Sequence, residues 1–211
     1  MKIGIIGATG HVGQGMVAAA LKHGDEVTAL VRNEDKAEQL FHDTVTVVAK
    51  DALALTREDL SGLDAVIDSF ASPKAYQHLD LATHLISMYR DKTAPYLMFI
   101  IGASSLHDAD GKLMLTAIQK MAAGAPWIAA PEQQVHEFDY LKWVNNVAWT
   151  AITPQQTFTD NPATQYRLGG DTVMSAPNGE SEVSVANFAD AAIDELARKQ
   201  YIRQRFSVVD A

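Results

Sequence analysis

Apolar and polar residues form two different patterns along the first 154 residues of the chain. Short apolar runs, typical of buried strands, alternate with longer segments in which apolar residues recur every three or four positions, as in amphipathic helices. The apolar runs predict six strands, at residues 2–8, 26–32, 44–51, 63–72, 95–105 and 147–154. Alternation repeated this often indicates an α/β protein with a doubly wound parallel sheet and helices on both faces.

The predicted helices begin at recognisable local signals. Asn33 is the expected N-cap of a short helix after the second strand, because its side chain can accept a backbone hydrogen bond there. A long helix over 73–90 begins with Pro73, which is well tolerated in a first turn. A further helix is predicted over 131–144, whereas residues 106–130 show no clear pattern.

The chain beyond the sixth predicted strand breaks this alternation. Residues 155–185 are rich in Gly, Pro, Asn, Thr and Ser, which predicts loops with short strands. A helix at about 186–199 and a last strand, RFSVVD, follow. Because no linker-like stretch divides the chain, we expect one domain over 1–211, in which residues 155–185 form a small lid on the substrate side of the sheet.

The composition of the chain limits the kinds of partner that the protein is expected to bind. The chain has 17 basic and 26 acidic residues, a net charge of −9, which argues against direct contact with nucleic acid. It has no cysteine, which excludes disulfides and thiolate chemistry. No apolar run is long enough for a signal peptide or for a membrane span. We therefore expect a cytoplasmic protein with a small-molecule partner and no membrane partner, and assembly as a homodimer stays open.

Three glycines stand at intervals of three between the first strand and the first helix. Gly7, Gly10 and Gly13 would permit a tight turn and let backbone N–H groups approach a diphosphate. The N-terminus of the following helix favours the same negative charge. The alternative interpretation is a tight strand-to-helix turn without a ligand.

The sequence of this loop, GATGHVG, departs from the dehydrogenase fingerprint G-x-G-x-x-G. It resembles the GATGxxG form found in the atypical branch of the short-chain dehydrogenase/reductase superfamily. Within that branch the chain is similar to the group of NADH-flavin reductases and NmrA-like NAD(P)-binding proteins, to which biliverdin reductase B also belongs. The similarity covers nearly the full chain through EVTALVRN, IIGASS, WTAITPQ, VSVANFADAAIDEL and RFSVVD.

The resemblance implies a Rossmann-type fold and a bound dinucleotide. The residues that it places at the diphosphate are Gly7, Thr9, Gly10, His11, Val12 and Gly13. At the end of the second strand, where a carboxylate would bind the adenosine ribose, the chain has Arg32. A guanidinium suits a 2′-phosphate, so we expect NADP(H) to be preferred over NAD(H). The alternative is a solvated surface arginine.

Residues at three further strand ends complete the expected cofactor site. Related proteins hold the adenine edge near the position of Asp51, and Ser69-Phe70-Ala71 would pass beneath the nicotinamide ribose. Both stretches could equally be plain turns. Pro154 and Gln155 match the place where the family closes over the nicotinamide.

The catalytic Tyr-x-x-x-Lys pair of active short-chain dehydrogenases is missing, since none of the six tyrosines has lysine four positions later. Glu132 and His136 stand near the positions of that pair, four residues apart on one helix face. His136 could donate a proton, or it could simply face solvent. Ser104 matches the family's serine and could bind substrate or nicotinamide, or cap a turn.

Other conspicuous residues receive structural interpretations. With no second cluster at metal spacing, His78 and His84 are expected to be surface or packing residues, and no metal site is predicted. Trp127, Trp143 and Trp149 are expected in the core.

The resemblance implies a function as an NAD(P)H-dependent oxidoreductase. We expect an NADPH-dependent reduction of a flavin, with FMN or FAD as substrate, or of a quinone-like acceptor, the proton coming from solvent or a weak donor. The acceptor would lie beneath the loop from Phe158 to Tyr166. Two alternatives remain: an NADP(H)-sensing regulator without turnover, and a nucleotide-sugar epimerase or dehydratase, which the missing pair disfavours.

Overall fold

A single eight-stranded sheet organises the protein in the computed structural model, which describes all residues from 1 to 211. The ten strands are β1 (Lys2–Ile6), β2 (Glu26–Val31), β3 (Thr46–Ala49), β4 (Ala65–Asp68), β5 (Lys92–Ile100), β6 (Val147–Thr153), β7 (Thr157–Thr159), β8 (Tyr166–Gly169), β9 (Glu182–Ser184) and β10 (Arg205–Asp210). The order in the large sheet is β3-β2-β1-β4-β5-β6-β10-β8, and all neighbours are parallel except β10 and β8. The Rossmann-type α/β fold expected from the sequence is confirmed.

Six helices cover the two faces of this sheet. They are α1 (His11–Lys22), α2 (Glu34–Phe41), α3 (Gln77–Met88), α4 (Met114–Met121), α5 (Ala129–Lys142) and α6 (Val185–Arg198). Adjacent residues of β4 show the division: Ile67 packs into a core with α1 and α6, and Val66 into a core with α3 and α5. This burial on both faces explains why the strands are continuous apolar runs. None of the helices combines the length and apolar character that crossing a membrane requires.

Of the boundaries that differ from the sequence-based expectations, three change the description of the fold. The long third helix begins at Gln77 instead of Pro73, after a turn over residues 73–76. The fifth strand ends at Ile100, because residues 103–105 form a short 3₁₀ turn. The region 106–130, which gave no pattern, contains α4.

The tryptophan prediction is right for one residue and wrong for two. Trp149 on β6 is 2% exposed and belongs to the core. Trp127, in a 3₁₀ turn before α5, is 57% exposed, and Trp143, just after α5, is 86% exposed. Both histidines of α3 serve packing, as expected: His78 is buried against Phe70, and the His84 ring lies 2.7 Å from the Leu55 carbonyl oxygen.

Residues 155–185, the predicted lid, contain the small parallel pair β7–β9 and the edge strand β8. The ends of the loop from Phe158 to Tyr166 pack against α6. Phe158 contacts Phe188 edge to face, and the Tyr166 hydroxyl donates a hydrogen bond of 2.7 Å to Asp194. Both aromatic side chains at the ends of this loop are therefore held against α6, and the placement of an acceptor beneath the loop stays a prediction.

Candidate functional site

The carboxyl ends of β1, β2 and β4 converge on a cavity of about 320 Å³, here called the glycine-loop cavity. The strand order reverses between β1 and β4, because the chain first adds strands on one side of β1 and then on the other, and such a reversal is where ligands bind in open α/β sheets. Predicted site residues that line the cavity are Gly7, Thr9, Gly10, Arg32, Ser69, Phe70 and Ala71. Residues that were not predicted also line it, including Lys36, Lys50 and Ala52.

Two glycines are required by the shape of the loop. Gly7 has φ +74°, and a Cβ there would lie 2.8 Å from the Ser69 carbonyl oxygen. A Cβ at Gly13 would overlap the Gly7 carbonyl oxygen and lie 2.9 Å from the Ala8 Cα. The close approach of α1 to the end of β1 therefore depends on both residues.

The N-terminus of α1 faces this loop with its donors free. Gly10, the N-cap, supplies no side-chain cap, and the first turn contains no acidic residue. The backbone N–H groups of His11, Val12 and Gly13 make no hydrogen bond within the protein. Free donors at the positive end of a helix dipole suit an anion. The His11 side chain lies outside the cavity, 3.3 Å from the carboxylate of Asp160 in the lid.

Three cationic side chains border the same cavity, two just after β2 and β3 and one in the first turn of α2. Arg32 makes no ion pair, the Lys36 ammonium donates a hydrogen bond of 3.0 Å to the Thr9 carbonyl, and Lys50 pairs with Asp59 at 2.6 Å. The Asn33 cap is confirmed, since its side chain accepts the Lys36 N–H at 2.9 Å. Only Arg32 was predicted as a cofactor contact, although Lys50 lies near the end of the predicted third strand, 44–51, at the same edge of the sheet.

Asp51 lies beside this cavity without lining it. Its side chain accepts the Leu53 N–H at 2.9 Å and caps a 3₁₀ turn, while its neighbours Lys50 and Ala52 line the cavity. The structure thus gives Asp51 the plain-turn role that the sequence left open.

A second cavity of about 360 Å³, here called the α5 cavity, shares Ala71 with the first. Its other lining residues are Ser72, Pro73, His78, Ala130 and Gln134. His78 on α3 contacts the ring of Phe70 edge to face, with ring centroids 5.7 Å apart. The two cavities therefore adjoin at Ala71, in the stretch that follows β4.

Two carboxyl groups are buried next to this stretch, and sequence reasoning missed both. Asp68, the last residue of β4, is 7% exposed, and Glu137 on α5 is 4% exposed. Neither forms an ion pair with a basic side chain. Burial raises the pKa of Asp68 to about 7, and burial together with the charge of Asp68 raises the pKa of Glu137 well above its usual value. An acidic residue inside an apolar run was the available signal for Asp68.

The two predicted catalytic residues line neither cavity. Ser104 is buried, and its hydroxyl donates a hydrogen bond of 3.2 Å to the Pro131 carbonyl at the start of α5. His136 is exposed to solvent, whereas the next residue, Glu137, lies on the buried face of α5. Glu132 is occupied by a hydrogen bond from Gln119 on α4. The solvent-facing alternative for His136 is the one that the structure favours.

The pair predicted to close over the nicotinamide, Pro154 and Gln155, is buried after β6. Gln155 is buried, donates to the Val208 carbonyl at 3.2 Å, and accepts the Met174 N–H at 2.8 Å. Pro154 is buried at the end of β6. With both ends of its amide engaged, Gln155 anchors the lid to β10, and its contact with a cofactor stays a prediction.

An open α/β sheet with a glycine loop and free helix N–H groups beside its reversal point defines a dinucleotide-binding protein. The profile of the NAD(P)H-binding family matches residues 7–199, and the chain belongs to this family. Its cofactor class is therefore a nicotinamide dinucleotide, carried on an oxidoreductase-type fold.

Three relatives resemble the chain over its whole length. The uncharacterized protein YwnB of Bacillus subtilis is 32% identical over 99% of this chain and 98% of YwnB. A solved structure from Lactobacillus casei is 38% identical, covers both chains fully and superposes with a TM-score of 0.94. A "putative NADH-flavin reductase" of Streptococcus pneumoniae is 29% identical over both full chains, with a TM-score of 0.87. The resemblance to the atypical short-chain dehydrogenase/reductases is confirmed.

Proposed function

We propose that the protein is an NADPH-dependent reductase of a flavin or a quinone-like acceptor. The observation that carries this proposal is the pair of cavities that adjoin at Ala71. The glycine-loop cavity has the donors and cations that a phosphorylated dinucleotide requires. The α5 cavity, bordered by His78 and close to the Phe70 ring, offers room for a planar acceptor next to it.

The residues present fit a dinucleotide at the glycine-loop cavity. Side chains at Gly7 or Gly13 would fill the cradle, and the N–H groups of residues 11–13 are available to a diphosphate. Ser69, whose hydroxyl donates to the Ile6 carbonyl, ties the end of β4 to β1 and fixes the opposite wall.

The 2′-phosphate of NADPH is the group that the cationic border suits best. Arg32, Lys36 and Lys50 bring three positive charges to the border of this cavity, and no acidic residue lines it. A carboxylate there would bind a ribose hydroxyl and repel a phosphate, whereas a guanidinium favours the phosphate. The name of the pneumococcal relative refers to NADH. The proposed preference for NADPH therefore rests on the residues of this chain and not on that relative.

Bound NADPH would supply a hydride, and reduction of the acceptor consumes that hydride together with one proton. The protein's residues bind and orient the two partners in the cavities that adjoin at Ala71. Rate enhancement then comes mainly from proximity and orientation, which a missing Tyr-Lys pair does not prevent. Solvent reaches the exposed Ala71 and can deliver the proton.

Steady-state oxidation of NADPH and of NADH, each with FMN, FAD and menadione, tests this function. We expect NADPH to be oxidised with at least one of these acceptors, and at a higher kcat/KM than NADH. A protein that binds NADPH tightly and oxidises it with none of them is not a reductase of this class.

The second candidate is an NADP(H)-sensing regulator that binds the dinucleotide without turnover. The position of Ser104 and His136 away from both cavities favours it, because no predicted catalytic side chain then remains at the site. Tight NADPH binding without oxidation is its expected signature. A nucleotide-sugar epimerase is disfavoured, since that chemistry depends on the absent Tyr-Lys pair.

A further inference from the structure

The α5 cavity is bordered by a buried histidine whose ring nitrogens have no partner within the protein. His78, near the start of α3, is 8% exposed, and its imidazole takes part in no hydrogen bond with another residue. Its nitrogens are nevertheless not sealed from solvent. Because His78 is a lining residue of the α5 cavity, these nitrogens open into that cavity. Buried polar groups are normally hydrogen-bonded, so this side chain lacks a partner that a ligand can supply.

The packing of His78 determines the position of its ring and its charge. The ring contacts the Phe70 ring edge to face, with centroids 5.7 Å apart, and Phe70 lines the neighbouring glycine-loop cavity. Burial lowers the pKa of His78, so that the imidazole is neutral at pH 7. A neutral imidazole presents one N–H donor and one acceptor nitrogen. His78 therefore brings one donor and one acceptor to a position beside the proposed dinucleotide site.

A second unpartnered polar side chain reaches the same cavity from α5. Gln134 lines the α5 cavity, and its amide has no hydrogen-bond partner within the protein. The amide lies over Gly102, which follows β5, because a Cβ at Gly102 would overlap the Gln134 Oε1 atom and lie 3.3 Å from its Cδ atom. Helices α3 and α5 pack against each other. An imidazole and an amide, both unpartnered, are thus brought to one cavity at the carboxyl end of the sheet.

The donors and acceptors of these two side chains fit a flavin better than a quinone. An amide presents one acceptor oxygen together with N–H donors. The ring system of a flavin carries an imide edge, in which an N–H lies between two carbonyl oxygens, whereas a quinone offers carbonyl oxygens alone. A quinone in the α5 cavity would leave the Gln134 oxygen without a donor. An unpaired polar group in a binding site costs affinity, so this arrangement discriminates between the two acceptors.

We propose that His78 and Gln134 select the acceptor by hydrogen-bonding the imide edge of a flavin, so that the α5 cavity takes a flavin in preference to a quinone. This inference rests on the proposed function and narrows its acceptor. Gln134 accepts the imide N–H, and the N–H groups of Gln134 and His78 donate to the carbonyl oxygens beside it. Flavin binding therefore supplies the partners that both side chains lack within the protein.

The wild-type protein tests this recognition without any substitution. Lumiflavin and N3-methyllumiflavin differ only at the imide nitrogen. Both are titrated by fluorescence quenching into protein saturated with NADP⁺, which has no hydride to transfer. We expect lumiflavin to bind about 10-fold more tightly, because methylation removes the donor that Gln134 accepts. Equal affinity for the two flavins overturns the inference.

Substitutions assign the discrimination to the two residues. We expect Gln134→Leu to bind lumiflavin about 10-fold more weakly than the wild type and to bind the two flavins with affinities within about 2-fold of each other. His78→Phe, which keeps an aromatic ring against Phe70, should also lose about 10-fold in affinity for lumiflavin. Gln133→Leu is the matched control, because Gln133 precedes Gln134 on α5 and does not line the cavity, and it should keep the wild-type preference. The affinity for NADPH should change by less than about 2-fold in all three variants.

The outcomes separate this inference from the proposed function. If Gln134→Leu prefers lumiflavin as strongly as Gln133→Leu does, the inference alone is overturned. Oxidation of NADPH with menadione, together with no binding of either flavin, also overturns the inference and leaves the reductase standing. Imide-dependent binding of lumiflavin without oxidation of NADPH by any acceptor overturns the reductase and supports the recognition of a flavin. Neither binding nor oxidation overturns both.

Discussion

Three cationic side chains, two just after β2 and β3 and one in the first turn of α2, set the charge of the glycine-loop cavity. Lys36 and Lys50 are already engaged, with the Thr9 carbonyl and with Asp59, whereas Arg32 makes no ion pair. Arg32 is also the residue that occupies the place of the ribose-binding carboxylate. At the scale of single residues, we therefore expect the choice between NADPH and NADH to depend most on Arg32.

Replacing Arg32 with Asp should reverse this choice. We expect NADPH to bind about 30- to 100-fold more weakly, because a charge-assisted contact is replaced by repulsion. Binding of NADH should change by less than about 3-fold. Calorimetric titration with NADPH and with NADH measures the two effects. An equal loss of affinity for both cofactors would show that Arg32 does not bind the 2′-phosphate.

Replacing Asp68 with Asn should change how stability depends on pH. The pKa of Asp68 is raised from 3.8 to about 7 in the folded protein, so the folded state holds a proton that the unfolded state releases between these values. The free energy of unfolding of the wild type therefore falls as the pH rises from 4 to 7, by as much as about 4 kcal/mol from this group. Asp68→Asn lacks this dependence.

Urea unfolding at pH 4.5 and pH 8 checks the prediction. The variant should gain stability relative to the wild type at the higher pH, while Asp139→Asn, which changes an exposed carboxyl on α5, should follow the wild type. If Asp68→Asn loses stability on raising the pH as steeply as the wild type does, Asp68 is not the group that titrates.

At the scale of elements, the contact between β1 and α1 fixes the diphosphate cradle. Replacing Gly13 with Ala would force the new Cβ against the Gly7 carbonyl oxygen. We expect a loss of about 2 to 4 kcal/mol in the free energy of unfolding, because backbone has to move to make room. Gly170→Ala is the matched control, since nothing lies within 4 Å of its Cβ position, and it should stay within about 0.5 kcal/mol. A small effect at Gly13 would contradict the packed geometry of the loop.

The strands and the glycine loop could be predicted because their signals are local. Buried strands such as β1 and β4 are nearly pure apolar runs, and the turn at Gly7 needs a residue without a side chain. The orientation of α5 could not be predicted, because polar residues lie on all its sides, including the buried Glu137. Sequence reasoning therefore selected His136, one residue away from the side chain that faces inward.

At the scale of the whole molecule, the lid and the sheet are held together by buried polar anchors. The Gln155 amide hydrogen-bonds both Val208 of β10 and Met174. The Arg205 guanidinium donates a hydrogen bond of 2.7 Å to the Ser105 hydroxyl and forms an ion pair with Asp171. These long-range contacts leave no trace in local sequence patterns, which is why Gln155 was assigned to the cofactor. They hold the lid to β10 and to the turn that follows β5.

The most direct test of the reductase is a single turnover in the absence of oxygen. Protein loaded with one equivalent of NADPH is mixed with oxidised FMN, and the absorbance of reduced nicotinamide and of oxidised flavin is followed together. We expect both to decline at one rate and in equal amounts, faster than in the same mixture without protein. If NADPH stays bound while neither absorbance changes faster than in the protein-free mixture, the protein holds its cofactor without transferring hydride, and the proposed function is wrong.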